Sequence, residues 1–293
     1  MSLTSSHITL DVPPNACDCH MHVFGPTDQF PGKPGHSYLP SPASLAQWQS
    51  SFDSLGIARV VVVQPSCYGT DNRCTVQAIT ELDGRARGVS SIAPDIGEAG
   101  LFALHRAGMR AVRINAKSVG LSDPILLRKH IAEVAEKIAV LGWHIQMYAD
   151  LSAVTALAEV IRSAPCPVVL DHMGGARAGQ SDDELSVLYD LLRDGNCWAK
   201  LSGAYRVSRQ GEDYSDTVPI AQALLKANPD NIVWGSDWPH TSEHAGKPEE
   251  KPLPIAFRHV VPASLLQLLA RQCGEQKLFN RVLADNAARL YAF

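Results

Sequence analysis

The sequence predicts a single α/β domain folded as a closed (β/α)8 TIM barrel, in which eight parallel strands alternate with helices. Eight short apolar runs alternate with amphipathic segments along the 293 residues, a rhythm typical of parallel strands joined by right-handed crossovers. Polar residues follow many of these runs, whereas in a doubly wound open sheet they gather at one switch point. We therefore expect one domain over residues 1–293, with its active site at the C-terminal ends of the strands.

The first half of the chain begins with a polar N-terminal arm at residues 1–15 and then supplies five strands. These strands are predicted at residues 16–22, 58–63, 88–92, 110–114 and 143–147, with helices at residues 43–55, 72–83, 98–107 and 123–141. The β-branched run that ends the second strand is typical of a strand buried on both faces. Residues 24–42 contain too many glycines and prolines for a helix or an ordinary strand, so a long ordered loop or lid is expected there.

The second half of the chain keeps the same rhythm. Strands are predicted at residues 167–170, 197–201 and 232–234, and helices at residues 152–163, 181–193 and 216–227. Residues 252–272 are expected to run from a loop into a helix, and a last helix is predicted around residues 276–290.

The composition limits the kinds of molecule that this protein is expected to bind. A net charge of −4, with 45% hydrophobic and 19% charged residues, gives no electrostatic reason to expect nucleic acid or an anionic membrane as a partner. The seven cysteines are scattered without a CxxC pair, which favours a reduced, cytoplasmic compartment. No apolar stretch reaches the roughly 18 residues of a membrane span. We expect a small-molecule substrate, and the sequence leaves open whether the protein is a homo-oligomer.

Two motifs at opposite ends of the chain carry the chemistry. The first strand ends in Asp18-Cys-His20-Met-His22, and the eighth is followed by Gly-Ser-Asp237-Trp-Pro-His240. Alternate side chains of an extended strand point to the same face, so the two histidines of the first motif are expected to project together. Two neighbouring imidazoles suit either a metal ion or a substrate oxyanion.

Polar residues after the other strands are expected to meet these motifs at one mouth of the barrel. They are Gln64 and Ser66, Arg113 and Asn115, Tyr148, Asp171 and His172, and Lys200, Ser202 and Arg206. A planar guanidinium binds carboxylate in a bidentate manner, so Arg113 and Arg206 are candidates for a substrate carboxylate. Ser66, Asn115 and Tyr148 are neutral donors for ring oxygens or hydroxyls.

These motifs resemble the amidohydrolase superfamily, and within it the group that contains 2-pyrone-4,6-dicarboxylate lactonase and D-galactarolactone isomerase. The resemblance extends from about residue 14 to residue 292 and includes Leu-Asp-His172-Met-Gly-Gly and the segments at residues 22–26, 64–71 and 108–115. It implies metal-dependent hydrolysis in the superfamily at large, and chemistry without a metal in the lactonase group.

The resemblance also implies roles for four residues. If a divalent metal such as zinc is bound, its ligands are His20, His22, His172 and Asp237. Tyr148 stands where the superfamily has a histidine ligand after the fifth strand, so we expect no metal and no other cofactor. Asp237 is then the general base, and protonated His20, His22 and His172 stabilise the negative charge on a lactone carbonyl oxygen.

The expected substrate depends on how many cations face it. The lactonase pattern has a further arginine after the strand-four segment, where this chain has Lys117, and His240 completes the candidate substrate-binding residues. A lysine in place of this arginine is a weaker carboxylate-binding group, which favours a sugar-diacid lactone with one free carboxylate. A hydroxyl of such a lactone can attack its own carbonyl and convert a six-membered ring to a five-membered one, as in D-galactarolactone isomerisation. Three alternatives stay open: hydrolysis of a carboxylated lactone such as 2-pyrone-4,6-dicarboxylate, a metal-dependent hydrolase or decarboxylase, and a non-catalytic sugar-acid binding protein.

Overall fold

A computed structural model of the chain describes residues 10–35, 38–117, 123–211, 213–242 and 254–293. Eight parallel strands lie in chain order in one sheet, which confirms the predicted (β/α)8 barrel. The strands are β1 (Cys17–Met21), β2 (Arg59–Val63), β3 (Ala86–Ser90), β4 (Met109–Asn115), β5 (His144–Tyr148), β6 (Val168–Leu170), β7 (Cys197–Leu201) and β8 (Ile232–Trp234). Residues 1–9 of the predicted arm and residues 252–253 of the predicted loop lie outside the described residues.

Helices cover the outside of the sheet. They are α1 (Leu45–Phe52), α2 (Arg73–Glu81), α3 (Glu98–Arg106), α4 (Pro124–Ala139), α5 (Leu151–Ala156), α6 (Ala158–Ser163), α7 (Asp182–Arg193), α8 (Ala204–Val207), α9 (Val218–Ala227), α10 (Pro262–Cys273), α11 (Gln276–Asn280) and α12 (Asn286–Tyr291). Capping boxes begin α1 at Ser44 and α7 at Ser181, each within two residues of the predicted start. No helix of the described ranges is long and apolar enough to cross a bilayer.

Three predicted elements differ from the structure. The helix predicted at residues 152–163 is divided at Leu157 into α5 and α6, and the last helix contains a π-helical turn at Arg281–Asp285. β3 begins at Ala86 rather than residue 88, because Arg87 continues the strand while its guanidinium donates to the carbonyl of Ala292. A charged residue at the end of a barrel strand can reach out of the barrel in this way, so the apolar run alone underestimates the length of the strand.

Side chains that point alternately to the two faces of the sheet form two separate hydrophobic cores. In β2, Val60 and Val62 belong to the large core between the sheet and the helices, whereas Val61 and Val63 belong to a second cluster inside the barrel. Tyr291, from the last helix, is fully buried in this second cluster. The barrel interior is therefore filled by side chains and is not a channel.

The barrel closes at the two chemical motifs. The amide of Asp237 donates to the carbonyl of His20 at 2.8 Å, and the amide of His22 donates to the carbonyl of Trp238 at 2.8 Å. Gly235 lies in the same contact, because a Cβ built there would lie 2.6 Å from the Cβ of His20. Only glycine allows the two chain segments to approach so closely, so this backbone pairing sets the position of His20 relative to Asp237.

A buried carboxylate supports this closure. Asp18 accepts hydrogen bonds from the Ser236 amide at 2.8 Å, the Ser236 hydroxyl at 2.5 Å, the His20 amide at 3.1 Å and the Trp48 indole at 3.1 Å. These donors belong to β1, to the segment after β8 and to α1. One side chain therefore holds three elements together directly beneath the active site.

The segment at residues 24–42 is not helical in its described parts, as predicted. Phe24 and Ala43 form an antiparallel bridge with hydrogen bonds of 2.9 and 2.8 Å, so the two ends of the segment meet. A two-residue strand at Leu39–Pro40 pairs with another at Pro254–Ile255, which follows β8 in the chain. The loop is therefore joined to the region after the last strand, and its role as a lid stays a prediction.

Replacing Asp18 with asparagine tests the importance of the closure. We expect the Asp18→Asn variant to lose about 2–4 kcal/mol of the free energy of unfolding, because an amide NH2 would face donors that now point at a carboxylate oxygen. Urea denaturation measures this change. The control is Asp53→Asn, whose half-exposed carboxylate lies 4.0 Å from Arg85, with an expected change within about 0.5 kcal/mol. Equal stabilities of the two variants would contradict the proposed importance of Asp18.

Candidate active site

His20, His22 and Asp237 meet at the C-terminal end of the barrel, as the sequence predicts. The Nε2 atoms of the two histidines are 3.3 Å apart, and Oδ1 of Asp237 lies 3.5 Å from His20 Nε2 and 3.9 Å from His22 Nε2. All three side chains are buried. Residues more than two hundred positions apart in sequence thus form one compact cluster.

The partners of the outer ring nitrogens determine where the histidine protons are. His22 Nδ1 lies 2.7 Å from the carbonyl oxygen of Val63, which can only accept, so Nδ1 carries a proton. His20 Nδ1 lies 3.3 Å from Oδ1 of Asp171. Burial raises the pKa of Asp171, but His20 and Lys200 outweigh it and hold the pKa below the usual value, so an ionised carboxylate faces the His20 ring.

His22 Nε2 consequently presents a lone pair to His20 Nε2 and to Asp237 Oδ1. Three such atoms this close can share a proton between them or bind a metal ion. The three atoms are 3.3–3.9 Å apart, and a tetrahedral zinc ion with ordinary bond lengths spaces its ligands by about 3.3–3.6 Å. The chemistry and spacing of this cluster therefore fit a metal ion as well as a proton.

Asp237 is held in one orientation by two donors. Its Oδ2 accepts a hydrogen bond of 2.7 Å from Nε of Arg206 and another of 2.7 Å from the hydroxyl of Tyr205. Burial alone would raise its pKa, but the charges of Arg206 and of the surrounding histidines hold the pKa of Asp237 well below the usual value. The side chain is therefore an ionised carboxylate at neutral pH, with Oδ1 directed at the histidines.

His172 completes the cluster as a neutral imidazole. Its Nε2 lies 3.9 Å from Oδ2 of Asp237, and its Nδ1 lies 3.0 Å from the hydroxyl of Ser202. That hydroxyl accepts from the His172 amide at 3.3 Å, so its proton is available for Nδ1. Burial lowers the pKa of His172 to about 3, and burial together with Arg113 lowers that of His22 well below its usual value. Burial therefore disfavours the positive charge that the sequence leads one to expect on these two imidazoles.

Backbone strain is concentrated at this cluster. His172 and Asp237 adopt φ angles of 51° and 61°, which non-glycine residues rarely adopt and which occur mostly at functional sites. Gly203, with φ of 55°, lies between them, and a Cβ there would be 2.6 Å from Nδ1 of His172 and 3.2 Å from Oδ2 of Asp237. A larger residue at position 203 would push the two side chains apart.

A second buried network lies beneath the histidines. Lys200 is fully buried, and its Nζ donates to the carbonyl of Cys19 at 2.8 Å and to Oε1 of Gln146 at 2.6 Å. Nε2 of Gln146 donates to Oδ2 of Asp171 at 3.0 Å, and Lys200 lies 3.6 Å from Oδ1 of the same carboxylate. Asp171 thus connects the lysine to His20.

The three predicted cations at the mouth of the barrel have different partners. Arg113 donates from Nη1 to the carbonyl of Gln64 at 2.9 Å, and its buried Nε has no hydrogen-bond partner among the described residues. Lys117 forms an ion pair of 2.7 Å with Asp150. Arg206 donates from Nε to Asp237 and from Nη2 to Thr241, so most of its guanidinium is used within the protein. Arg113 is therefore the best placed of the three to bind a substrate anion.

The neutral candidates surround the same mouth. The ring of Tyr148 packs edge-on against that of His172, with centroids 4.8 Å apart, and Asn115 is its partner in the sheet register. His240 is buried beside Tyr205, with ring centroids 5.9 Å apart, and burial lowers its pKa to about 4. Ser66 begins a turn after β2 with its Oγ 3.5 Å from the hydroxyl of Tyr38.

Tyr205 was not predicted from sequence, and no motif in its neighbourhood distinguishes it from a core tyrosine. Lys200, which was expected at the mouth of the barrel, is instead fully buried within β7, on the same face as Trp198, which packs inside the barrel. A lysine at an inward-facing strand position must have buried partners, and these are Asp171 and Gln146.

Comparison with known proteins agrees with this geometry. The chain matches the amidohydrolase family over residues 17–293. It is 37% identical over 292 residues to a 2-pyrone-4,6-dicarboxylate hydrolase of Comamonas testosteroni, covering 96% of this chain and 91% of the relative. A 4-sulfomuconolactone hydrolase of Rhizobium radiobacter is 34% identical, covering 98% and 93%. A D-galactarolactone isomerase of Agrobacterium fabrum is 28% identical, covering 95% and 91%.

These relatives confirm the resemblance that the motifs at the two ends of the chain indicate. The matched region begins at Cys17, the first residue of β1, and therefore includes the histidines of β1, His172 and Asp237 in one continuous alignment with the family. From its barrel, its site and its relatives, the chain belongs to the amidohydrolase family.

Proposed function

We propose that this protein is a lactone hydrolase, which adds water to the carbonyl carbon of a carboxylated lactone. The orientation of Asp237 carries the proposal: its Oδ2 is held by Arg206 and Tyr205, while its Oδ1 faces the histidine pair. An ionised carboxylate with one oxygen fixed and the other directed into a cluster of imidazoles is suited to remove a proton from an attacking oxygen. Two of the relatives are hydrolases by name, one of 2-pyrone-4,6-dicarboxylate and the other of 4-sulfomuconolactone.

The reaction follows from these positions. Asp237 Oδ1 takes a proton from water as the water oxygen attacks the carbonyl carbon. The proton shared by His20 and His22, together with the Nε2 proton of His172, stabilises the negative charge that develops on the carbonyl oxygen. When the tetrahedral intermediate collapses, the bond to the ring oxygen breaks, and protonated Asp237 returns its proton to that oxygen. The product is the open-chain acid.

Arg113 is proposed to bind the carboxylate of the substrate. Its buried Nε has no hydrogen-bond partner among the described residues, and a half-buried guanidinium in this state favours an anionic ligand. Its charge also lowers the pKa of His22, after burial, so it lies close to the reacting centre. Tyr148 and His240 line the same mouth and suit the ring oxygens of the lactone.

Isomerisation of a sugar-diacid lactone, which the sequence favours, is the second candidate. The ion pair between Lys117 and Asp150 supports it, because a lysine neutralised at 2.7 Å leaves Arg113 as the main cation for the substrate. One cation matches one free carboxylate, as in a sugar-diacid lactone. In this case a hydroxyl of the substrate replaces water as the nucleophile, and Asp237 keeps its role.

We propose that the reaction needs no metal. His20, His22 and Asp237, with His172 beside them, would hold a divalent ion, which would polarise the carbonyl as a Lewis acid. Two features support the metal-free proposal. Tyr148 ends β5 where the resemblance leads one to expect a histidine ligand, and Asp237 already has two donors on its Oδ2.

The first test of the proposal identifies the nucleophile. Dicarboxylated pyrones and sugar-diacid lactones are incubated with the protein in water enriched in a heavy oxygen isotope and followed by carbon NMR and mass spectrometry. We expect the open-chain acid, with one heavy oxygen in its new carboxylate. An isomeric lactone without the label would contradict hydrolysis and support isomerisation. Absence of turnover on the whole panel would contradict both.

Replacing the general base is the second test. Asp237→Asn keeps the shape of the side chain but removes the proton acceptor, so we expect kcat to fall by about a hundredfold or more. The control is Asp230→Asn, an exposed aspartate that pairs with Arg281 at 3.2 Å, which we expect to leave kcat unchanged. Circular dichroism checks that both variants fold. Near-native turnover of folded Asp237→Asn would rule out this mechanism.

Metal content is the third test. After exhaustive chelation we expect full activity, and elemental analysis is expected to find far less than one metal ion per chain. The proton between Nε2 of His20 and Nε2 of His22 then takes the place of a metal ion. Loss of activity that zinc or manganese restores would mean that the same cluster works through a metal ion.

A further inference from the structure

Arg258 is an exposed arginine that lies beside the active site without an acidic partner among the described residues. Its guanidinium lies over the ring of Tyr205, with Cζ 5.2 Å from the ring centroid. The hydroxyl of the same tyrosine donates to Oδ2 of Asp237 at 2.7 Å. One aromatic ring therefore separates this cation from the proposed general base.

The backbone also connects Arg258 to the base. The Arg258 amide donates to the carbonyl of His240 at 2.9 Å, and the His240 amide donates to the carbonyl of Asp237 at 2.8 Å. Directly before Arg258, Phe257 forms an antiparallel bridge with Thr241. Because two contacts hold this segment against the chain that follows β8, an anion bound to Arg258 would lie close to the reacting centre.

The imidazole of His240, next to Arg258, has hydrogen-bonding atoms that the protein does not use. His240 is 4% exposed, and neither of its ring nitrogens has a hydrogen-bond partner among the described residues. Both residues line a groove of about 410 Å³ whose walls include Trp238, Pro239 and Phe257, and none of its described lining residues is acidic. Apolar walls with a guanidinium at the edge match a planar ring that carries an anionic group.

The other cations at the mouth leave a second anion to Arg258. Arg113 lies on β4, which is opposite β8 in a barrel whose eight strands follow chain order, so it approaches the reacting centre from the other side. Lys117 is neutralised by Asp150 at 2.7 Å. Each guanidinium binds one carboxylate in a bidentate manner, so two of them on opposite sides of one mouth suit a substrate with two anionic groups.

We propose that Arg258 is a specificity-determining residue, which binds a second carboxylate of the lactone beside Tyr205 while Arg113 binds the first. The inference rests on the proposed function, in which Asp237 acts at the lactone carbonyl. The guanidinium forms two parallel hydrogen bonds with the carboxylate, and His240 supplies a further one from the groove. A lactone with a single carboxylate leaves Arg258 in water, so this arginine discriminates between lactones and takes no part in the chemical step.

Binding of unreactive ring acids tests the proposal without turnover. Isophthalate, a planar ring with two carboxylates, and benzoate, with one, are titrated into the native protein and Arg258→Gln by isothermal titration calorimetry. We expect the native protein to bind isophthalate more tightly than benzoate. In Arg258→Gln we expect the Kd of isophthalate to rise about tenfold, the scale of a lost hydrogen bond between charged groups, and that of benzoate to change by less than about twofold.

Arg106→Gln is the matched control for the loss of one exposed positive charge. Arg106 lies in the last turn of α3, which leads into the N-terminal end of β4 and is remote from the mouth. We expect this variant to leave both Kd values unchanged. A native protein that does not prefer isophthalate, or an isophthalate Kd that is unchanged in Arg258→Gln, would overturn the proposal. Equal losses for the two acids would overturn it as well, because Arg258 would then affect the site as a whole.

Kinetics separate a failure of this inference from a failure of the proposed function. With lactones that the native protein hydrolyses, we expect kcat/KM of Arg258→Gln to fall about tenfold for those with two carboxylates and by less than about twofold for those with one. Equal effects on the two classes would overturn the role of Arg258 in discrimination. If no lactone is turned over, the proposed function fails, whereas the titrations still decide whether Arg258 binds the second carboxylate.

Discussion

The carboxylate of Asp18 is the interaction on which the active site depends. It accepts four hydrogen bonds from three elements that the chain reaches at its beginning, after its first loop and near its end. Because β1 and the segment after β8 are joined there, the amide of Asp237 can pair with the carbonyl of His20. The distance between base and histidine is therefore a property of the backbone, and side-chain packing only refines it.

Charge in this barrel is arranged in buried pairs. Lys200 with Asp171 lies under the histidines, and Arg206 with Asp237 lies beside them. Desolvating a single charge is costly, and removing one partner of a buried pair leaves the other uncompensated. The pairs also leave the site close to neutral before substrate arrives, so one further proton or cation between the histidines changes its electrostatic character. This arrangement links the stability of the barrel to the chemistry at its mouth.

The fold and the central cluster could be predicted because both follow from short-range patterns. Apolar runs mark the strands, and the rule that strand ends converge brings His20, His22, His172 and Asp237 together. The partners of long side chains could not be predicted. Arg206 turns to Asp237 and Lys117 to Asp150, since each can reach several directions from its backbone position. The protonation states also depend on burial, which the sequence does not specify.

The small parallel pair between Leu39–Pro40 and Pro254–Ile255 has a consequence for substrate entry. It joins the glycine- and proline-rich loop after β1 to the segment after β8, and these segments flank the two motifs that supply the histidines and the base. Phe24 and Phe257 stack across the same two segments, with ring centroids 6.1 Å apart. The described parts of these segments thus contact each other at two places, so we expect an insertion in either segment to displace the other as well.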